Sequence, residues 1–113
     1  MTIYALSSGP GLSGIAVIRI SGKKTKQVIN LLTNNDFPRP RVATIRKFNK
    51  INNSELIDEG ILLWFPGPES YTGEDMAEIH IHGSLAVIRA ILKELSKIEN
   101  CRLAEPGEFT KIA

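Results

Sequence analysis

Glu78, His80 and His82 occupy alternate positions in residues 76–82, with Ile79 and Ile81 between them. In a strand, alternate side chains share one side of the sheet. A carboxylate and two imidazoles would then line one face and the isoleucines the other. Such a row admits three readings. It could hold Zn²⁺, which accepts imidazole nitrogen and carboxylate oxygen, although zinc would need a third or fourth protein ligand and the sequence points to none. It could line a pocket for a polar small molecule, or it could be the solvated face of a half-exposed strand.

Arg19 stands between Ile18 and Ile20 in an otherwise apolar run. Arginine is rarely buried without a partner, so it either faces solvent or captures an anion, and its guanidinium suits two-point capture of a carboxylate. Glu74 and Asp75 follow a Tyr71-Thr72-Gly73 turn and read as solvated loop charges. Cys101 is the only cysteine. Its place beside Asn100 and Arg102, before Leu103, suits a packed thiol at the start of a strand better than a nucleophile.

Two glycine patterns look like phosphate sites and fail on context. Residues 9–14 match G-x-G-x-x-G, but a dinucleotide site needs a helix to open at the last glycine. Here the β-branched residues 15–20 follow, and Pro10 removes a backbone N–H. A tight turn fits better, or glycines that let backbone approach a flat ligand. Gly22-Lys23-Lys24 resembles the end of a P-loop, but Val17 stands where its first glycine belongs and Lys24 where Ser or Thr belongs.

These side chains need elements to carry them. Residues 2–6, 15–20, 42–48, 56–65 and 76–82 are apolar or alternating and read as strands. Residues 100–104 read as a short strand or edge. Residues 23–32 suit a short amphipathic helix. The apolar spacing of Leu85, Val87, Ile88, Ile91, Leu92 and Leu95 gives a second helix, with Ser84 as its N-cap. Residues 108–113, after Pro106-Gly107, begin a third. Asn52-Asn53 suits a hairpin turn. A polar hairpin between two strands argues for a mixed α+β sheet with two to three helices rather than a doubly wound parallel one.

The chain has 113 residues, 42% of them hydrophobic and 23% charged, which suits one domain with one core. Net charge is +2, too small to mark a nucleic-acid binder by itself, although Lys23, Lys24 and Lys26, and Arg39, Arg41, Arg46 and Lys47, form local clusters. No apolar run is long enough to span a bilayer. No secretory leader is visible, and a lone cysteine fits a reducing compartment, so a cytoplasmic protein without a membrane role is expected. The chain stops within its last helix, which suggests a domain of something longer.

Five segments, in order, resemble one family. They are Gly11 to Gly22 with its I-R-I-S-G strand, Trp64-Phe65-Pro66-Gly67-Pro68, Ser70-Tyr71-Thr72-Gly73-Glu74-Asp75, Glu78 to Gly83 as E-x-x-x-H-G, and Ala104 with Pro106-Gly107-Glu108-Phe109-Thr110. Together they are similar to the N-terminal domain of the tRNA-modifying GTPase family MnmE, also called TrmE. Leu12-Ser13 departs from the family's frequent Arg-Gly, Gly83-Ser84-Leu85 from its G-G-P, and Ile112 from a frequent arginine.

The resemblance implies a single domain over residues 1–113, with a fold like folate-binding aminomethyltransferase domains. It implies binding of a reduced folate, 5-formyl- or methylene-tetrahydrofolate, as one-carbon donor, and homodimerisation. Arg19 and Glu78 match the family's folate contacts, with Gly11, Gly14, His80 and His82 beside them. The full-length family modifies the wobble uridine of tRNA at C5 together with MnmG. Its GTP, Mg²⁺ and K⁺ belong to a GTPase domain that these residues lack, as they lack the family's helical domain. Two alternatives remain open here: a metal-dependent enzyme using Glu78, His80 and His82, and a module kept only for dimerisation.

Overall fold

The computed structural model describes residues 1–7 and 14–113. In chain order the elements are β1 (Thr2–Leu6), β2 (Ile15–Ser21), α1 (Thr25–Thr33), β3 (Thr44–Asn49), β4 (Leu56–Phe65), β5 (Met76–His82), α2 (Leu85–Ser96), β6 (Cys101–Leu103) and α3 (Glu108–Ile112). The strands form one sheet in the order β3-β4-β5-β2-β1-β6. Neighbours are antiparallel except β1 and β6, which run parallel. The expected mixed α+β sheet is therefore present.

One face of the sheet carries the core. Ala16, Ile18 and Ile20 of β2, Ala77, Ile79 and Ile81 of β5, and Leu62 and Trp64 of β4 are buried there, against Val28, Ile29 and Leu32 of α1 and Ile91 and Leu95 of α2. The period of two in the strands and the wider spacing in the helices turn their apolar sides toward each other. The opposite face is only partly covered. Val17, Ile61, Leu63 and Phe65 are half-buried there, while Ile15 and Ile45 are exposed.

The helix ends explain where expectation and structure part by a residue or two. Gly22, at φ +137°, turns the chain out of β2, and a Cβ there would lie 2.6 Å from Thr2 Oγ1. Helix α1 therefore opens at Thr25 rather than Lys23, with the Thr25 hydroxyl donating to Gly22 O at 2.7 Å. Asn34, in the left-handed region, ends it. Ser84 caps α2 as expected, its Oγ accepting from Val87 N. Strand β3 begins at Thr44 instead of residue 42, since Arg41 N is tied to Trp64 O at 2.8 Å and has a positive φ. A buried carboxylate joins helix to hairpin: Glu94 accepts from Ile51 N at 2.9 Å and from Lys97 Nζ at 2.8 Å.

Candidate functional site

The register of β2 against β5 sets the site. Arg19 stands opposite Glu78 and Val17 opposite His80. Because Ile18, Ile79 and Ile81 fill the core face, Arg19, Glu78 and His80 share the other one. Arg19 Nε donates to Glu78 Oε2 at 3.2 Å, and His80 Nε2 lies 3.1 Å from Glu78 Oε1. Each carboxylate oxygen thus has its own partner. Glu78 is the most enclosed of the three, with a side chain 20% exposed. Arg19 resolves in favour of an anion partner. Among the described residues, Nε is the only one of its nitrogens so engaged.

The loop at residues 66–75 closes one end of this face. Thr72 Oγ1 and Ser21 Oγ are 2.8 Å apart, and both side chains are buried. Asp75 Oδ1 accepts from Gly67 N at 2.9 Å, while its backbone carbonyl accepts from Gly22 N at 2.9 Å. Asp75 is therefore a structural clasp, contrary to the expectation of a solvated charge; Glu74 is exposed as expected. The same loop sets the Tyr71 ring 5.8 Å from the Arg19 guanidinium carbon, within cation–π range.

Beyond Arg19 lies a cavity of about 510 Å³, walled by Ala5, Leu6, Ala104, Pro106 and Phe109 with Arg19 at one side. That volume is within the range of small-molecule sites. A bidentate pair holds its outer wall: Arg102 Nη1 and Nη2 donate to the two Glu108 oxygens at 2.8 and 2.5 Å, and Glu105 N donates to Glu108 Oε1 at 2.9 Å. The hydrogen bond from Arg102, backed by that from Glu105 N, pulls the Glu108 carboxyl down to about 2.

His82 goes a different way from His80. Its ring Nδ1 lies 2.9 Å from Asp58 Oδ1, and its backbone N–H donates to Asp58 Oδ2 at 2.9 Å. Burial pushes the Asp58 carboxyl up, but these hydrogen bonds outweigh it and hold the group below its ordinary value. A carboxylate only accepts, so the ring nitrogen facing each one is the donor, Nε2 in His80 and Nδ1 in His82. Both border a smaller hollow of about 230 Å³ that includes Glu59 and Ile61.

Of the residues singled out in the sequence, Arg19, Glu78 and His80 come together, and His82 lies at the strand's end with its ring on Asp58. Gly14 is exposed, and its carbonyl accepts from Gly83 N at 3.1 Å. Gly11 lies outside the described residues. Glu78, His80 and His82 do not converge as a metal set: among the described residues, no three His, Cys, Asp or Glu side chains are placed to hold an ion. Cys101 begins β6 half-buried, and burial raises its thiol pKa, so the packed-thiol reading suits it. Sequence reasoning missed Asp58, Tyr71 as a partner of Arg19, and the Arg102–Glu108 pair. Asp58 and Tyr71 depend on long-range contacts. Arg102 and Glu108 are six residues apart and carried a signal in their opposite charges.

Comparison with known proteins identifies a family for the chain as a whole. The family model described as GTP-binding protein TrmE N-terminus matches residues 2–113. The chain is 75% identical over 113 residues to the tRNA modification GTPase MnmE of Pelagibacter ubique, covering 100% of this chain and 26% of that protein. It is 51% identical to the tRNA modification GTPase MnmE of Rhodopseudomonas palustris, over 97% of this chain and 24% of the relative. It is 49% identical to the mitochondrial 5-taurinomethyluridine-[tRNA] synthase subunit GTPB3 of Danio rerio, over 99% of this chain and 22% of the relative. The chain thus spans about a quarter of the length of these relatives. Among the described residues, no helix is long and apolar enough to cross a membrane.

Proposed function

The chain belongs to the TrmE N-terminal family, and from that premise we propose that it binds a reduced folate, 5-formyl- or methylene-tetrahydrofolate, on the open face of its sheet. In this reading Glu78 accepts neighbouring N–H donors from the pterin edge. Arg19 binds a carbonyl or carboxylate of the same ligand. The cavity beside Arg19 houses part of the ligand's body. One observation carries the reading: Arg19 and Glu78 are paired through Nε alone, and Arg19 also borders that cavity.

The same face gives room for a second copy of the chain, with Ile15 at 59% and Ile45 at 65% exposure. At the level of the whole protein, the folate supplies the one-carbon unit with which a cytoplasmic GTPase, together with MnmG, modifies the wobble uridine of tRNA at C5. GTP and its ions bind outside these residues.

Calorimetric titration of the full chain with 5-formyltetrahydrofolate tests the ligand reading, with wild type beside Glu78→Ala. Loss of one charge-assisted contact costs about 1.5–3 kcal/mol, roughly ten- to a hundredfold in affinity. Wild-type binding with that loss supports the reading. Absence of wild-type binding, with the dimer intact in both proteins, would favour the dimerisation-only alternative.

A further inference from the structure

We infer that His80 is a positioning residue: it fixes the plane of the Glu78 carboxylate through the oxygen that Arg19 does not hold, so that the remaining lone pairs meet the ligand in one orientation. This rests on the folate reading above. A carboxylate has about four acceptor positions, and the torsion that turns it is soft. One anchor would leave it free to rotate. Here Arg19 Nε holds Oε2 at 3.2 Å from the facing strand, and His80 Nε2 holds Oε1 at 3.1 Å from two residues along β5. Both anchors stand on central strands, β2 and β5, each paired on both sides, so their backbones are fixed by the ladder. Two further acceptor positions stay available, enough for a pair of adjacent N–H donors.

His80 serves as donor from Nε2, and that requires a tautomer rather than a charge. A neutral ring with the proton on Nε2 donates as an imidazolium does. The side-chain nitrogen of glutamine lies about as far along the chain as Nε2 and donates in the same way. The role therefore separates from bulk and from charge by substitution, and the contact with Glu78 can be read without any ligand.

Two measurements on the full chain decide it. The first is calorimetric titration with 5-formyltetrahydrofolate of wild type, His80→Ala, His80→Gln and Glu78→Ala. His80→Ala is expected to bind about tenfold more weakly, with His80→Gln restored to near the wild-type constant. The second is the ring-nitrogen NMR spectrum of His80 without ligand, expected to show the Nε2–H tautomer in wild type and to lose that preference in Glu78→Ala. Wild-type affinity in His80→Ala overturns the inference, as does His80→Gln binding as poorly as His80→Ala, or an Nδ1–H ring in wild type. If instead wild type binds no folate, or Glu78→Ala binds as wild type does, the folate reading itself fails, whatever the tautomer.

Discussion

Arg19 and Glu78 face each other across β2 and β5, and the guanidinium spends only its Nε on the carboxylate, 3.2 Å from Oε2. Arg19 also borders the cavity, and its guanidinium carbon lies 5.8 Å from the centre of the Tyr71 ring. One planar cation can therefore serve Glu78 and a ligand together.

A lysine at this position cannot do both. Its ammonium is a single point charge on a flexible stem. Arg19→Lys is expected to lower affinity for 5-formyltetrahydrofolate about tenfold, with the midpoint of urea unfolding little changed. Calorimetry beside a urea titration checks it. An undiminished affinity would remove Arg19 from the ligand's contacts.

Gly60 predicts a stability effect of steric origin. It lies in β4 where that strand meets His80 and Ile81, and a Cβ there would stand 2.0 Å from the His80 carbonyl oxygen. The obstacle is backbone in a central strand, so it cannot swing aside. Gly60→Ala should force β4 from β5 and destabilise the fold by about 1–3 kcal/mol, the usual range for overpacking, or somewhat more. Because His80 is part of that contact, folate affinity should fall as well. A urea midpoint equal to wild type would show that the sheet yields more easily than its register implies.

Much of this arrangement was legible in the residues because strand alternation is a local property. Glu78, His80 and the intervening isoleucines declared their faces, and β4 and β5 began and ended where their turn residues said. The pairing of Arg19 with Glu78 was not legible from pattern alone, since 59 residues separate them and only the β2–β5 register makes them neighbours. Asp58 illustrates the same limit. It reads as an ordinary polar residue of a hairpin strand, yet the fold sets it on His82 and so parts that imidazole from His80. The clasp made by Asp75 is not legible either, because a loop carboxylate has the same letters whether it meets water or a backbone N–H.

Glu94 predicts the cost of a buried anchor. Its side chain is 2% exposed and ties α2 to the β3–β4 hairpin through Ile51 N. Burial raises its pKa, but Lys97 and the Ile51 N–H outweigh that and leave it lowered. Glu94→Ala leaves the Ile51 donor without its acceptor, while Lys97, partly exposed, can turn to water. Destabilisation of about 1–3 kcal/mol is expected. Hydrogen exchange should be fastest to rise in the hairpin turn; exchange rising evenly over the whole sheet would argue against a local anchor.

Glu108 links acid stability to the cavity wall. Its carboxyl falls from an ordinary 4.5 to about 2 because Arg102 and the Glu105 N–H bind the ionised form. A group whose folded value is depressed stabilises the fold fully above its unfolded value and loses that contribution as pH drops through the folded one. The stabilisation is therefore complete above 4.5 and disappears progressively toward pH 2. Glu108→Gln, which keeps the shape and one acceptor but loses the charge, should unfold at lower urea than wild type at neutral pH. The gap should narrow as the pH falls toward 2, where the wild-type carboxyl itself takes up its proton. Since Glu108 and Phe109 both border the cavity, the variant should also bind 5-formyltetrahydrofolate more weakly at neutral pH, with Arg19 and Glu78 intact. A gap that stays constant from neutral to acid pH would mean that the Arg102–Glu108 charge pair does not hold this wall.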